Sequence, residues 1–198
     1  MIRTLIVGAS CAALLAACTP AERDDTAADA GAAVNATQDA ASGPVGQTSA
    51  ATLGANTAGG FVTALATSDM YELQAAEIAM AKSSTAGIDE LAGMIKTDHT
   101  ASTAKLKTIA PTEAADTPLP TALDERRQGL IDNLNAAAPA DFDRVYLTQQ
   151  VAAHNEALTL LNGFKDHTET PGLAGLATEI IPKVTMHRDH AQQMLDAM

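Results

Sequence analysis

Glu72, His99, His154 and His187 each occupy a position where the surrounding pattern calls for an apolar residue. A carboxylate and three imidazoles gathered at one level of a protein interior have the chemistry of a metal site, because neutral imidazole nitrogen and carboxylate oxygen suit Fe, Mn, Zn or Cu. Asp98, beside His99, and Gln150, one turn ahead of His154, are placed to add a ligand or to fix a ring tautomer. The same residues support a plainer reading, in which Glu72 hydrogen-bonds to one or two histidines and the buried network fixes helix register without binding anything.

Other chemistry is thinly represented. Di-iron carboxylate proteins place Glu-x-x-His on each of two helices, and no glutamate here is followed three positions later by histidine. His187 and His190 are three apart, a spacing that sets neighbouring faces of one helix and reads as a surface feature. There is no glycine-rich phosphate loop, no Gly-x-Ser-x-Gly elbow and no catalytic cysteine, so the sequence leans away from an enzyme. Met70, Met80, Met94, Met186, Met194 and Met198 are scattered and read as filler rather than as a copper-binding cluster.

The elements that must position the four residues are helices. Hydrophobic residues make up 46% of the 198, but aromatics only 3% and tryptophan is absent, so the apolar content is mostly alanine with Leu, Ile, Val and Met. Helical periodicity recurs over four long segments: Gly60 to Ser84; Ala86 to Ala110 with Thr85 as N-cap; Asp141 to Asp166; and a last one opening with Thr170 as N-cap and Pro171 in the first helical position. A shorter amphipathic stretch, Thr121 to Ala137, follows Pro111, Pro118 and Pro120 and forms a crossover. Pro182 is expected to kink or loosen the last helix. The result is an all-α chain, a four-helix bundle with a short crossover helix between the second and third long helices.

Counting rise from the turns puts Glu72 and His99 at nearly one height, with His154 and His187 mismatched by roughly 7 Å. Each interrupts its own stripe: Glu72 follows Leu65, His99 follows Ile95, His154 follows Leu147, and His187 follows Val184.

The N-terminal third reads differently. One positive charge at Arg3 precedes an apolar run from Leu5 to Ala17, too short to span a bilayer, and residues 1–17 read as a signal peptide. Leu15-Ala16-Ala17-Cys18 resembles the lipobox of bacterial lipoproteins, which makes Cys18 the lipid-bearing residue and leaves the mature protein no free thiol. Thr19 follows the cysteine where, in proteobacterial lipoproteins, an aspartate resembles an inner-membrane retention signal; the absence of that aspartate favours the outer membrane, with the domain facing the periplasm. Residues 18–60 lack aromatics and apolar periodicity and are expected to form a disordered tether, leaving 61–198 as the folded domain. The net charge of −12 excludes nucleic acid as a partner and repels anionic headgroups, so lipid rather than charge is expected to hold the chain to a membrane.

Phe61 through Ala81, then Met94-Ile95-Lys96-Thr97-Asp98-His99, then Phe142-Asp143-Arg144-Val145-Tyr146 leading to His154, then Ile181-Pro182 before His187, resemble the bacterial domain-of-unknown-function family 4142. The resemblance covers nearly all of the expected domain. It implies an exported, ferritin-like helical bundle, adds Asp143 and Tyr146 to the polar positions supporting the cluster, and invites a homodimer; it implies no activity. Two functions follow as expectations: a structural or stress-protective bundle in the envelope, or a metal-binding or redox protein built on Glu72, His99, His154 and His187.

Overall fold

The computed structural model describes residues 20–54 and 56–198, and all its regular structure is helical. The expected signal peptide and Cys18 lie outside the described residues. Six α-helices follow in order, α1 (Pro20–Ser49), α2 (Ala58–Lys82), α3 (Ala86–Glu113), α4 (Glu125–Ala136), α5 (Phe142–Phe164) and α6 (Pro171–Asp196), with one π-helical turn at Ala50–Gly54. Among the described residues no helix is long and apolar enough to cross a membrane.

The four long C-terminal helices pack in a ring: α2 on α3, α3 on α6, α6 on α5, and α5 back on α2. Their starts follow from local chemistry. Thr57 caps α2 by accepting the Gly60 N–H, and Asp124 caps α4 by accepting that of Arg127. The first turn of α6 is capped from another helix, since the Glu113 carboxylate at the end of α3 accepts the N–H groups of Gly172 and Leu173 at 2.7 and 2.8 Å. This arrangement explains why α3 continues through Pro111 beyond the expected stop at Ala110: the added turn carries Glu113 to its partner. At the other end, Lys82 donates to the carbonyls of Leu134 and Asn135 at 2.9 and 2.8 Å, closing the last turn of α4. The crossover helix is shorter than expected, because the turn chemistry of Asp124 starts it after residue 121.

The expectation of a disordered tether over 18–60 is corrected for its described part. Residues 20–49 are helical, and from Asn35 onward the helix packs on α4 and α5. Alanine, the best helix former, outweighs the missing apolar stripe. What replaces the stripe is close approach and polar pairing. Ser42, Gly43, Gly46 and Ala50 are buried, and a methyl group on Gly43 would already touch the Ala152 side chain. Asp39 accepts from Asn133 of α4 at 2.7 Å and Gln149 of α5 at 2.8 Å.

The interior divides into two apolar clusters. One contains Phe61, Leu65, Leu106, Leu161, Phe164, Leu173, Ile180 and Val184, with Phe61 and Phe164 stacked 4.1 Å apart. The other contains Tyr71, Ala75, Ile88, Leu91, Ile95, Leu134, Phe142, Tyr146, Leu147 and Ala191. Every helix of the ring passes from one cluster to the other at a polar residue: α2 between Leu65 and Tyr71, α3 between Ile95 and Leu106, α5 between Leu147 and Ala157, α6 between Val184 and Ala191. The sequence interruptions are thus one polar layer across the core.

Candidate metal centre

The layer holds Ser68, Asp69 and Glu72 from α2, His99 and Ser102 from α3, Gln150 and His154 from α5, and His187 from α6, all buried. Helical repeat puts them there. Leu65, Asp69 and Glu72 are four and three residues apart and share a face, as do Ile95, His99, Ser102 and Leu106.

His99, His154 and His187 converge. Their ring centroids are 5.7, 5.9 and 5.4 Å apart, and one nitrogen from each lies within 4.8 Å of the others. Nδ1 is held by a hydrogen bond in two of the three. His99 Nδ1 donates to Asp69 Oδ1 at 2.8 Å, and His154 Nδ1 donates to the Gln150 carbonyl at 2.9 Å. A carboxylate and a carbonyl only accept, so both Nδ1 atoms carry a proton, and in the neutral form of each ring Nε2 keeps the lone pair. Neither Nε2 has a hydrogen-bond partner. His187 Nε2 is 3.2 Å from Asp98 Oδ2, close enough but outside hydrogen-bond angles, and its Nδ1 has no partner. Asp69 is itself fixed, since its Oδ2 accepts from Thr103 at 3.0 Å.

The remaining expected residues separate into near and far. Glu72 is not one of the converging three: its Oε1 is 3.6 Å from His154 Nδ1, the nitrogen turned toward Gln150, and its Oε2 is unpartnered. Gln150 supplies its backbone carbonyl, while both ends of its buried amide lack partners. The Tyr146 hydroxyl is buried and unpartnered as well. Asp98 joins His187 to the surface, with Oδ1 accepting from Lys183. Asp143 lies elsewhere, accepting from Thr85 at the turn between α2 and α3. His190 is only partly buried and stands apart from the three. Asp69 is the residue that the sequence reading missed, although its spacing from Leu65 and Glu72 put it on the same face.

Electrostatics follow from burial. Burial and the neighbouring His99 push the His187 imidazole down to about 4, and burial with His99 and His187 holds His154 well below the usual range. Burial also pulls on His99, but the Asp69 hydrogen bond and charge, joined by Glu72 and Asp98, lift it above the ordinary value. Burial raises the Glu72 carboxyl to about 7, against the opposing charge of His99. His154 and His187 are therefore neutral at neutral pH, while at His99 a metal ion would compete with a more tightly held proton.

Three imidazoles, two of them backed by a carboxylate or a carbonyl, could hold a transition-metal ion once His99 has given up any second proton. Metal–nitrogen bonds of about 2.0–2.1 Å in a tetrahedron need nitrogens ~3.4 Å apart, so the rings would have to draw closer to hold such an ion.

A family model described as a domain of unknown function, DUF4142, matches residues 43–194. The chain belongs to the DUF4142 family. The matched span takes in the whole helical ring, the crossover and the last part of α1, so the DUF4142 unit starts before Phe61. No curated protein and no solved structure matches the chain.

Proposed function

We propose that this DUF4142 protein holds a first-row transition-metal ion in the core of a ferritin-like four-helix bundle, with His99, His154 and His187 as ligands. The observation that carries the reading is the set of three buried imidazoles that bring a nitrogen each within 4.8 Å of one another and that all have an unpartnered nitrogen. A scaffold built only to fix register is served by polar atoms that meet each other. Here His99 Nε2, His154 Nε2 and both His187 nitrogens meet none, and each such atom costs about 1–3 kcal/mol. An ion bound at the three ring nitrogens removes that penalty at each.

Three imidazoles suit zinc, copper or iron(II), leaving a further position for water or for Glu72 after a side-chain rotation. Manganese is favoured less, since it prefers oxygen ligands. Iron storage is not part of the proposal, because the di-iron motif is missing and fold alone does not carry function. In the cell, we place the domain on the outer membrane facing the periplasm, held by lipid on Cys18, where keeping a redox-active ion out of solution is a stress-protective act.

Elemental analysis by plasma mass spectrometry tests this on protein purified without chelator, beside His99→Ala and His154→Ala. Near-stoichiometric metal that both substitutions remove while helicity is kept is the expected result. Protein that stays metal-free, and whose thermal stability ignores added Fe, Mn, Zn and Cu, overturns it.

A further inference from the structure

We infer that metal reaches the three histidines through the seam between α3 and α6, that Asp98 is the carrier carboxylate on this route, and that Lys183 is its latch. The inference rests on the metal reading above and adds how the site is filled and emptied. Asp69, Glu72 and Gln150, which lie against His99 and His154, are each at most 1% exposed. Asp98 reaches solvent, with a side chain 21% exposed, and its two oxygens face opposite ways: Oδ1 accepts from the Lys183 ammonium at the surface, and Oδ2 lies 3.2 Å from the fully buried His187.

The space around Asp98 agrees. It lines an open surface groove with Glu90, Gly93, Met94 and Thr97, and it also lines a narrow inner cleft with His99, Ser102, Lys183 and His187. The cleft measures about 10 Å³. That is near the threshold for one water molecule, so an ion stripped of most of its water passes and an organic molecule does not. Unpartnered polar atoms mark the inner end, namely Ser102 Oγ, His99 Nε2 and both nitrogens of His187. An arriving cation meets the Glu90 and Asp98 carboxylates first, takes Oδ1 from Lys183, and is passed to His187.

A latch on the path changes the speed of passage in both directions and leaves the equilibrium alone, whereas a ligand changes affinity. Cobalt(II), whose visible bands report nitrogen coordination, is the probe, and stopped-flow absorbance on the full chain gives uptake and chelator-driven release. Lys183→Met is expected to speed both rates about tenfold with Kd kept within about threefold. Asp98→Asn is expected to slow both. Lys105→Met, which removes a second exposed α3–α6 ion pair with Glu179 at the same change in charge, is expected to alter neither. Rates that ignore Lys183, or that respond equally to Lys105, overturn the latch while the metal site stands. Absence of any saturable cobalt band in the unsubstituted chain overturns the metal reading itself.

Discussion

His99 leans on Asp69, its Nδ1 proton held by a carboxylate oxygen 2.8 Å away and its Nε2 left without a partner. A carboxylate behind an imidazole fixes ring orientation and raises its basicity, and loss of such a partner typically lowers metal affinity 10–100-fold. Asp69→Asn keeps the shape and removes the charge. Competition titration with a chromophoric chelator is expected to show that loss, and an Asp69→Asn affinity equal to that of the unsubstituted chain would count against the triad as the binding site.

Glu72 sets a pH dependence of stability with a definite sign. Its carboxyl titrates near 4.5 when exposed and at about 7 in the fold. The folded state therefore binds the proton more tightly, and the contribution is fully present below pH 4.5 and lost as pH rises through 7. The difference corresponds to about 3 kcal/mol. Urea denaturation of metal-free protein is expected to show Glu72→Gln gaining on the unsubstituted chain by up to that amount between pH 4.5 and 8. A constant gap between the two across this range would contradict the assignment.

Gly46 of α1 faces the Glu156 carboxylate, which both Arg126 and Arg127 grip, and a methyl group there overlaps it. The carboxylate is pinned by its ion pairs and has little room to give. Gly46→Ala is expected to loosen α1 from α5 and to cost about 1–3 kcal/mol. Limited proteolysis reads the first effect as faster cleavage within residues 35–54, with the ring of α2, α3, α5 and α6 surviving intact.

Glu113 is predicted to matter to α6 more than to its own helix. Glu113→Ala leaves the Gly172 and Leu173 N–H groups without their acceptor, a loss of about 1–2 kcal/mol by analogy with N-caps. A melting temperature lower by about 2–8 °C in a calorimetric scan is the expected outcome. Hydrogen exchange should quicken at the start of α6 first.

The four ring helices were legible because their apolar residues repeat with the period of a helix, and the residues breaking that period are the ones in the polar layer. Counting from the turns set Glu72 and His99 at nearly one height and His154 and His187 roughly 7 Å apart in height, whereas the rings of the latter two are 5.4 Å apart. A count from the middle of a turn assumes that both helices end level, and the six residues between Phe164 and Pro171 allow an offset. Asp69 was hidden by looking for one interruption per stripe when α2 carries two. The docking of α1 was illegible for a different reason: glycines, a serine and an aspartate hold it, and such residues carry no hydropathy signal.

The way α1 is held has a mechanical corollary. Its contacts at Asp39, Ser42 and Gly46 are polar or close-packed and arranged in sequence along one helix, so a pull from the N-terminal side loads them one after another. Hydrogen bonds taken singly yield at lower force than a core loaded all at once. Under such a load α1 is expected to detach before the ring of α2, α3, α5 and α6 is strained, so the arrangement of the three histidines is expected to survive its loss.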